Sequence, residues 1–201
     1  GLGDVYKRQY VDYYNFSKEM QGGYSKLDGT DWYYEAQFWS EMADLNLGSQ
    51  AVRDEFDKIV DFWLDLGVDG FRLDAAKEYY SGSVDKNVEV LSWFHSMVKE
   101  KKEDAYIVAE VWTDQNTYAK YYESGIDSCF DFSFADSTGT ITSVLKNGSA
   151  SSYGKALVNL QDNLSQYSDS YIDAPFYTNH DMARGAVSYT HLRAHETCAD
   201  L

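Results

Sequence analysis

The spacing of apolar residues alternates between helical and strand-like periods along most of the chain. Apolar side chains recur every three or four positions over residues 52–64, 84–98, 116–123 and 151–166, which predicts amphipathic helices. Short apolar or alternating runs at residues 68–75, 106–112, 128–134 and 174–178 predict strands. Strands that alternate with helices are typical of parallel βαβ units. The pattern therefore predicts an α/β fold with a parallel sheet.

The first part of the chain does not follow this alternation. Residues 10–39 are rich in aromatic residues and glycine, and they contain no apolar period long enough for a helix of ordinary length. We interpret this stretch as an irregular, loop-rich excursion, a kind of segment that is often functional in compact proteins. Most of its aromatic side chains are expected to pack against one another. Gly48 and Ser49 then mark the start of the first long helix.

Composition limits the classes of partner. The 201 residues carry 33 acidic and 17 basic side chains, for a formal net charge of −16, and a body so negative attracts neither nucleic acid nor an anionic membrane surface. The chain has no apolar run long enough for a membrane span. A neutral substrate is compatible with this charge, and the 18 tyrosines and 5 tryptophans offer flat faces that suit sugar rings. Cys129 and Cys198 predict neither a disulfide framework nor a zinc site.

Two opposite charges lie inside the strand predicted at residues 68–75. Arg72 and Asp74 are two positions apart, so they share one face of the strand. On a buried strand the two must pair, because either charge alone would be costly to bury. The pairing would keep Asp74 ionised, as a nucleophilic carboxylate must be. The alternative interpretation is a structural ion pair at the end of a strand.

Three carboxylates follow the predicted strands at regular distances. Asp74 and Glu110 are 36 positions apart, and Glu110 and Asp181 are 71 apart, close to twice that spacing. A (β/α)8 barrel uses roughly 31 residues for each strand–helix unit. The three acids are therefore expected at the C-terminal ends of strands n, n+1 and n+3, which is the face where such barrels place their active sites. This spacing favours a catalytic site over a structural ion pair.

Four segments resemble motifs of the α-amylase family of retaining α-glycosidases, in the family's order. Residues 67–77 (Gly-Val-Asp-Gly-Phe-Arg-Leu-Asp-Ala-Ala-Lys) resemble the strand of the nucleophile, and residues 109–112 (Ala-Glu-Val-Trp) that of the acid/base. Residues 176–181 (Phe-Tyr-Thr-Asn-His-Asp) resemble the segment of the third carboxylate. Residues 42–46 (Met-Ala-Asp-Leu-Asn) resemble the stretch Leu-Pro-Asp-Leu-Asn, with Ala43 in place of the usual proline.

The resemblance implies a partial (β/α)8 barrel that contains strands 4–7. Residues 10–40 would be the end of the loop domain inserted after strand 3, and residues 41–187 would be part of the catalytic barrel. Strands 1–3 and 8, and the strand-3 motif that supplies further substrate contacts and an asparagine that often binds calcium, are absent. The chain is therefore expected to be a fragment of an enzyme.

The resemblance also implies roles for five residues. Asp74 would attack the anomeric carbon and form a glycosyl-enzyme, with Arg72 keeping it ionised and oriented. Glu110 would act first as the acid and then as the base, and its apolar neighbours favour the protonated form that the first step needs. Asp181 would bind sugar hydroxyls and stabilise the oxocarbenium-like transition state, and His180 would donate to the same ring. A structural histidine at a strand end is the alternative for His180.

Four further positions are candidates by the same resemblance. Lys77 and Glu78 could line the subsites of the leaving group, although many relatives carry histidine at the position of Glu78. Arg184 could reach the sugar. For Lys77 a solvated lysine at a helix start, and for Arg184 an ion pair, are equal alternatives. Asp44 could be a ligand of a structural calcium ion, which needs several oxygen ligands.

The two ends of the chain depart from the family pattern. Residues 1–9 and 188–201 look like a non-native leader and tail, and we exclude them from the fold prediction. His191 and His195 lie four positions apart and are followed by Glu196, a spacing that superficially suggests a metal site. Since this segment is interpreted as non-native, we do not predict a metal there.

The favoured function is hydrolysis of α-glucosidic bonds in starch-like glucans or maltooligosaccharides. An α-glucosidase or a transglycosylase of the same family is the near alternative, because water and sugar compete for one intermediate. A non-catalytic, amylase-like binding or scaffold protein is the alternative of another class, but it predicts a missing carboxylate and all three are present. Because four strands cannot close a barrel, the chain by itself is expected to be inactive and poorly soluble. The sequence does not indicate a cellular compartment.

Overall fold

A small antiparallel sheet forms the first part of the protein. The computed structural model describes residues 10–184, which begin with a 3-10 turn at Val11–Tyr13. Three short strands follow, in the order β1-β3-β2: β1 (Phe16–Ser17), β2 (Tyr24–Lys26) and β3 (Tyr33–Glu35). The sequence indicated only irregular loops here, which was incomplete. Strands of two or three residues are too short to show an alternating pattern.

A parallel sheet of four strands forms the centre of the protein. Its strands are β4 (Gly70–Leu73), β5 (Tyr106–Ala109), β6 (Ser128–Asp131) and β7 (Ile172–Pro175). They are hydrogen-bonded in chain order, and each pair of neighbours is parallel. This arrangement confirms the predicted βαβ units and the α/β class.

Five α-helices accompany the sheet among the described residues. They are α1 (Gln50–Asp65), α2 (Val84–Lys101), α3 (Gln115–Lys120), α4 (Thr140–Asn147) and α5 (Ala150–Leu164). Four of them lie where the apolar spacing predicts helices, although the helix expected at 116–123 is α3 continued by a 3-10 turn, Tyr121–Ser124. Helix α4 was missed, because its eight residues are mostly polar or β-branched.

Each predicted strand is longer than the observed one, and the chain shows why. After β4, Ala75 adopts a left-handed conformation that ends the extended run. After β6, the Asp131 carboxylate accepts hydrogen bonds from the backbone and hydroxyl of Ser133, which starts the 3-10 turn Phe132–Phe134. The last strand lies at Ile172–Pro175 instead of 174–178, and it ends at its proline.

The core lies between the helices and one face of the sheet. Ile107 and Ala109 on β5 are fully buried together with Val98 of α2 and Leu164 of α5. Phe71 and Leu73 of β4 pack against the same core. Arg72 and Asp74 therefore project from the opposite face of β4.

The prediction that β4 is a buried strand was wrong for this opposite face. The Arg72 side chain is 35% exposed and that of Asp74 is 76% exposed. Within residues 10–184, β4 pairs only with β5, so its other edge has no strand partner there. The ion pair is thus partly open to solvent, and water screens part of its attraction.

Helices α1 to α5 are too short or too polar to cross a membrane. The predicted leader, residues 1–9, and the predicted tail, residues 188–201, lie outside the described residues. The same is true of His191, His195 and Glu196. The proposed division of the chain at residues 40 and 187 stays a prediction.

A buried polar network joins β7 to α3. The Asp173 carboxylate accepts a hydrogen bond from the hydroxyl of Tyr118, which also contacts the hydroxyl of Tyr122 at 3.0 Å. Burial raises the pKa of Asp173 to about 6, with a contribution from the nearby charge of Asp131 and against the lowering effect of the hydrogen bond from Tyr118. Folding therefore shifts the protonation equilibrium of Asp173 towards the protonated form, relative to the unfolded chain.

This network predicts a pH dependence of stability. Since the pKa of Asp173 lies higher in the folded state than in the unfolded one, its contribution is present at low pH and is lost as the pH rises through about 6. In the complete protein, Asp173→Asn should flatten the decline of the melting temperature between about pH 4 and 7. Asp162→Asn, at an exposed position of α5, is the control and should leave the slope as it is. Equal slopes in all three proteins would contradict this assignment.

Candidate active site

Arg72 and Asp74 form the first part of the site at the C-terminal end of β4. The Arg72 Nη1 lies 2.5 Å from Asp74 Oδ1, as the spacing along the strand predicted. Burial lowers the pKa of the Arg72 guanidinium, but the hydrogen bond to Asp74 and the charges of Glu110, Asp74 and Asp181 outweigh it and raise the pKa. Arg72 is therefore a permanent cation among three carboxylates.

Glu110 comes directly after β5 and is tied to the turn that follows β4. Its backbone N–H donates to the carbonyl of Leu73 at 2.8 Å, and its own carbonyl accepts from the N–H of Ala76 at 2.9 Å. Its carboxylate also reaches that segment, because Oε2 accepts from the N–H of Ala75 at 3.0 Å and Oε1 lies 3.3 Å from Arg72 Nη2. With the residue only 7% exposed, Glu110 is held in one orientation beside Asp74.

Asp181 reaches the site from a turn, six residues beyond the end of β7. The turn is closed by a hydrogen bond of 3.0 Å from the Asp181 N–H to Asn179 Oδ1 and by one of 2.7 Å from the Thr178 hydroxyl to the carbonyl of Ala183. His180 Nε2 lies 3.1 Å from Asp181 Oδ2, and both side chains are about half exposed or more. His180 thus contacts the third carboxylate, although it does not line the cavity described next.

One open cavity collects the three predicted carboxylates. Asp74, Glu110 and Asp181 line a space of about 460 Å³, together with two more of the predicted residues, Lys77 and Glu78. A volume of this size suits a ligand of a few sugar rings. The spacing argument therefore placed the acids correctly at one end of the sheet. Their catalytic roles stay predictions.

Three apolar side chains at the cavity were not among the predicted site residues. Trp112 is half exposed and stacks on Phe132, with ring centroids 4.6 Å apart. Phe38 and Met42 line the cavity from the segment after β3, and both are more than half exposed. The position of Trp112 two residues after Glu110 could have indicated it, since side chains at i and i+2 share a face. Phe38 and Met42 carry no such signal.

Lys77 and Glu78 form an ion pair beside the cavity. The Lys77 Nζ lies 3.1 Å from Glu78 Oε1, and the Ser81 hydroxyl donates to Glu78 Oε2 at 2.7 Å. Burial tends to raise the pKa of Glu78, but these hydrogen bonds and the charge of Lys77 hold it below its ordinary value. Glu78 therefore stays ionised and engages Lys77, a combination different from the histidine expected by resemblance.

Asp44 and Arg184 do not line the cavity. Arg184 is exposed on the turn after Asp181. The Asp44 carboxylate accepts from the N–H of Gln37 at 2.7 Å, and burial, the first cause, together with the charges of Glu35 and Glu78 raises its pKa. Residues 10–184 contain no group of three or more histidine, cysteine or acidic side chains that could hold a metal. Calcium needs several oxygen ligands, so a site at Asp44 would need further oxygen groups, and calcium binding stays a prediction.

Comparison with known proteins agrees with the fold. The family model described as alpha amylase, catalytic domain, matches residues 8–200. Alpha-amylase 3 of Dictyoglomus thermophilum is 38% identical over 185 residues, which are 89% of this chain and 35% of that protein. The solved structure of Eubacterium rectale Amy13B is 54% identical with a TM-score of 0.87, over 92% of this chain and 37% of that one. An α-glucosidase of Apis mellifera is 28% identical over 63% of this chain and 26% of its own length.

Parallel strands in chain order with carboxylates at their C-terminal ends fit part of a (β/α)8 barrel. The chain belongs to the α-amylase family, and its parallel sheet is part of that family's catalytic barrel. It spans about a third of the length of Alpha-amylase 3 and of Amy13B.

The two ion pairs of Arg72 predict a specific effect of its replacement. Lysine keeps the positive charge but cannot hold two carboxylates with separate nitrogens. If the complete protein turns over an α-glucoside, Arg72→Lys should lower kcat about 100-fold, because Asp74 and Glu110 lose their common anchor. Arg53→Lys, which alters a charged contact to Glu89 on the helices, is the matched control. Turnover that falls equally in both variants would contradict the role of Arg72.

Proposed function

We propose that the enzyme containing this chain hydrolyses α-glucosidic bonds in starch-like glucans or maltooligosaccharides, with retention of the anomeric configuration. The observation that carries the proposal is the joint anchoring of Asp74 and Glu110 by Arg72 at a cavity that Asp181 also lines. Retaining glycosidases need two carboxyl groups about 5–5.5 Å apart, one as nucleophile and one as acid and base. Two carboxylates that share one guanidinium suit that requirement.

In the first step, the Asp74 carboxylate attacks the anomeric carbon while Glu110 gives a proton to the departing oxygen. The bond between the sugar and the leaving group breaks, and a glycosyl ester of Asp74 forms. In the second step, Glu110 takes a proton from water, which attacks the same carbon and releases Asp74. Asp181 accepts hydrogen bonds from sugar hydroxyls and stabilises the positive charge that develops on the ring.

The side chains around the carboxylates fit a neutral glucan. The half-exposed ring of Trp112 is fixed by its stacking on Phe132 and can pack against a sugar face. Lys77 and Glu78 offer polar groups on the side where the leaving group would lie, and His180 adds a donor next to Asp181. Arg184 as a further sugar contact and Asp44 as a calcium ligand stay predictions, and no step above depends on them.

Transfer to a second sugar or release of single glucose units is the near alternative. The glycosyl ester of Asp74 reacts with whichever hydroxyl reaches it, so water and an acceptor sugar compete. An α-glucosidase among the matched relatives is consistent with this breadth. A non-catalytic binding protein is the alternative of another class. It would be favoured if the complete protein showed no turnover on soluble starch, maltooligosaccharides, pullulan or sucrose.

The acid/base role of Glu110 predicts a large effect of an isosteric change. Glu110→Gln keeps the shape and the acceptor for the Ala75 N–H but removes the ionisable group. In the complete enzyme we expect the rate on maltooligosaccharides to fall by about 10² to 10⁴. Glu100→Gln, at an exposed position of α2, is the control. Near-normal turnover of Glu110→Gln would show that another residue is the acid.

The 201-residue chain by itself should not hydrolyse maltooligosaccharides. Its sheet presents β4 and β7 as open edges within the described residues, and four strands cannot close a barrel. The purified chain should therefore associate at micromolar concentration in a sedimentation experiment and release no reducing sugar. A monodisperse chain that turns over a maltooligosaccharide would contradict this expectation.

A further inference from the structure

The turn directly after Asp74 has an unusual backbone. Ala75 has φ of 44° and ψ of 40°, in the left-handed region that side chains other than glycine rarely adopt. Among residues 10–184, Ala75 and Asp136 are the only residues other than glycine with a positive φ. Such conformations persist only where the surrounding structure holds them, and they are concentrated at functional sites.

The surrounding structure that holds this turn is Glu110. If the two strands continued in their register, Asp74 and Ala75 would extend the ladder beside Glu110 and Val111. Instead, the left-handed turn directs the N–H of Ala75 to the Oε2 of Glu110 at 3.0 Å, while the N–H of the next residue, Ala76, bonds the Glu110 carbonyl. The turn therefore takes a backbone donor away from the ladder and gives it to a buried carboxyl group.

We propose that Ala75 is a positioning residue for acid/base catalysis: its backbone N–H, together with Arg72, fixes the orientation in which the carboxyl group of Glu110 meets the leaving oxygen. This inference rests on the function proposed for Glu110. It concerns a backbone group, which side-chain motifs do not describe.

Two permanent donors hold the carboxyl group of Glu110, one at each oxygen. The N–H of Ala75 donates to Oε2 at 3.0 Å, and Arg72 Nη2 lies 3.3 Å from Oε1. Donors at both oxygens fix the plane of the carboxyl group, and a general acid must meet the leaving oxygen in a defined geometry. Once Glu110 has given its proton to the leaving oxygen, the same N–H stabilises the carboxylate that acts as the base.

The test removes this one N–H from the complete enzyme. Replacing Ala75 by lactic acid turns the amide into an ester, which keeps the side chain and lacks the donor. Two substrates are compared: a maltooligosaccharide, whose leaving oxygen needs a proton, and α-maltosyl fluoride, whose leaving group needs little help. We expect kcat/KM to fall about 10-fold or more on the oligosaccharide and to stay within about twofold on the fluoride.

Two ordinary substitutions accompany the ester. Ala75→Gly keeps the N–H and adopts the left-handed conformation without strain, so it should retain kcat/KM on both substrates within about twofold. Ala75→Val disfavours that conformation, because a β-branched residue at positive φ is strongly strained. It should therefore reproduce the selective loss of the ester, and thermal unfolding shows whether the variant is folded.

An ester variant with unchanged kinetics would overturn the inference and leave the proposed function intact. An equal loss on both substrates would overturn it as well, since that result points to a general disturbance of Asp74. If the unmodified enzyme turned over neither substrate, the proposed function and this inference would fall together. A selective loss in the ester and in Ala75→Val, with Ala75→Gly retained, supports it.

Discussion

The site depends on one constraint, the attachment of Glu110 to the end of β4 and the turn that follows it. The backbone of Glu110 bonds to Leu73 and Ala76, and its carboxylate accepts from the N–H of Ala75. Arg72 joins this carboxylate to that of Asp74. Neighbouring parallel strands lie at a fixed distance from each other because they are hydrogen-bonded, so the positions of their ends are set. Two carboxylates placed at those ends therefore have a defined separation before any substrate arrives.

The sequence predicted the parts of this arrangement that follow from periodicity and spacing. Alternating strands and helices, the shared face of Arg72 and Asp74, and the gathering of Asp74, Glu110 and Asp181 at one cavity are present in the structure. Strand ends and short strands were not predictable, because they depend on local bonds such as those of Asp131 to Ser133. The left-handed turn at Ala75 gave no signal either, since alanine is not a residue that marks such turns.

The exposure of the site follows from the share of the barrel that the chain contains. Helix α1 and the residue that follows it present four large apolar side chains to solvent, Ile59, Phe62, Trp63 and Leu66. The face of β4 that carries Arg72 is partly open. The relatives are about three times as long as the matched segment. In a closed barrel further strands would cover this face, exclude water and strengthen the ion pairs of Arg72.

The central claim is that Asp74 becomes covalently bound to the sugar. The most direct measurement treats the complete enzyme with a 5-fluoro-α-glucosyl fluoride, which forms the glycosyl ester but slows its hydrolysis, and locates the label by peptide mass spectrometry. The account predicts a single labelled peptide with the sugar on Asp74. A label on Glu110 or Asp181, or inversion at the anomeric carbon with no label at all, would contradict it.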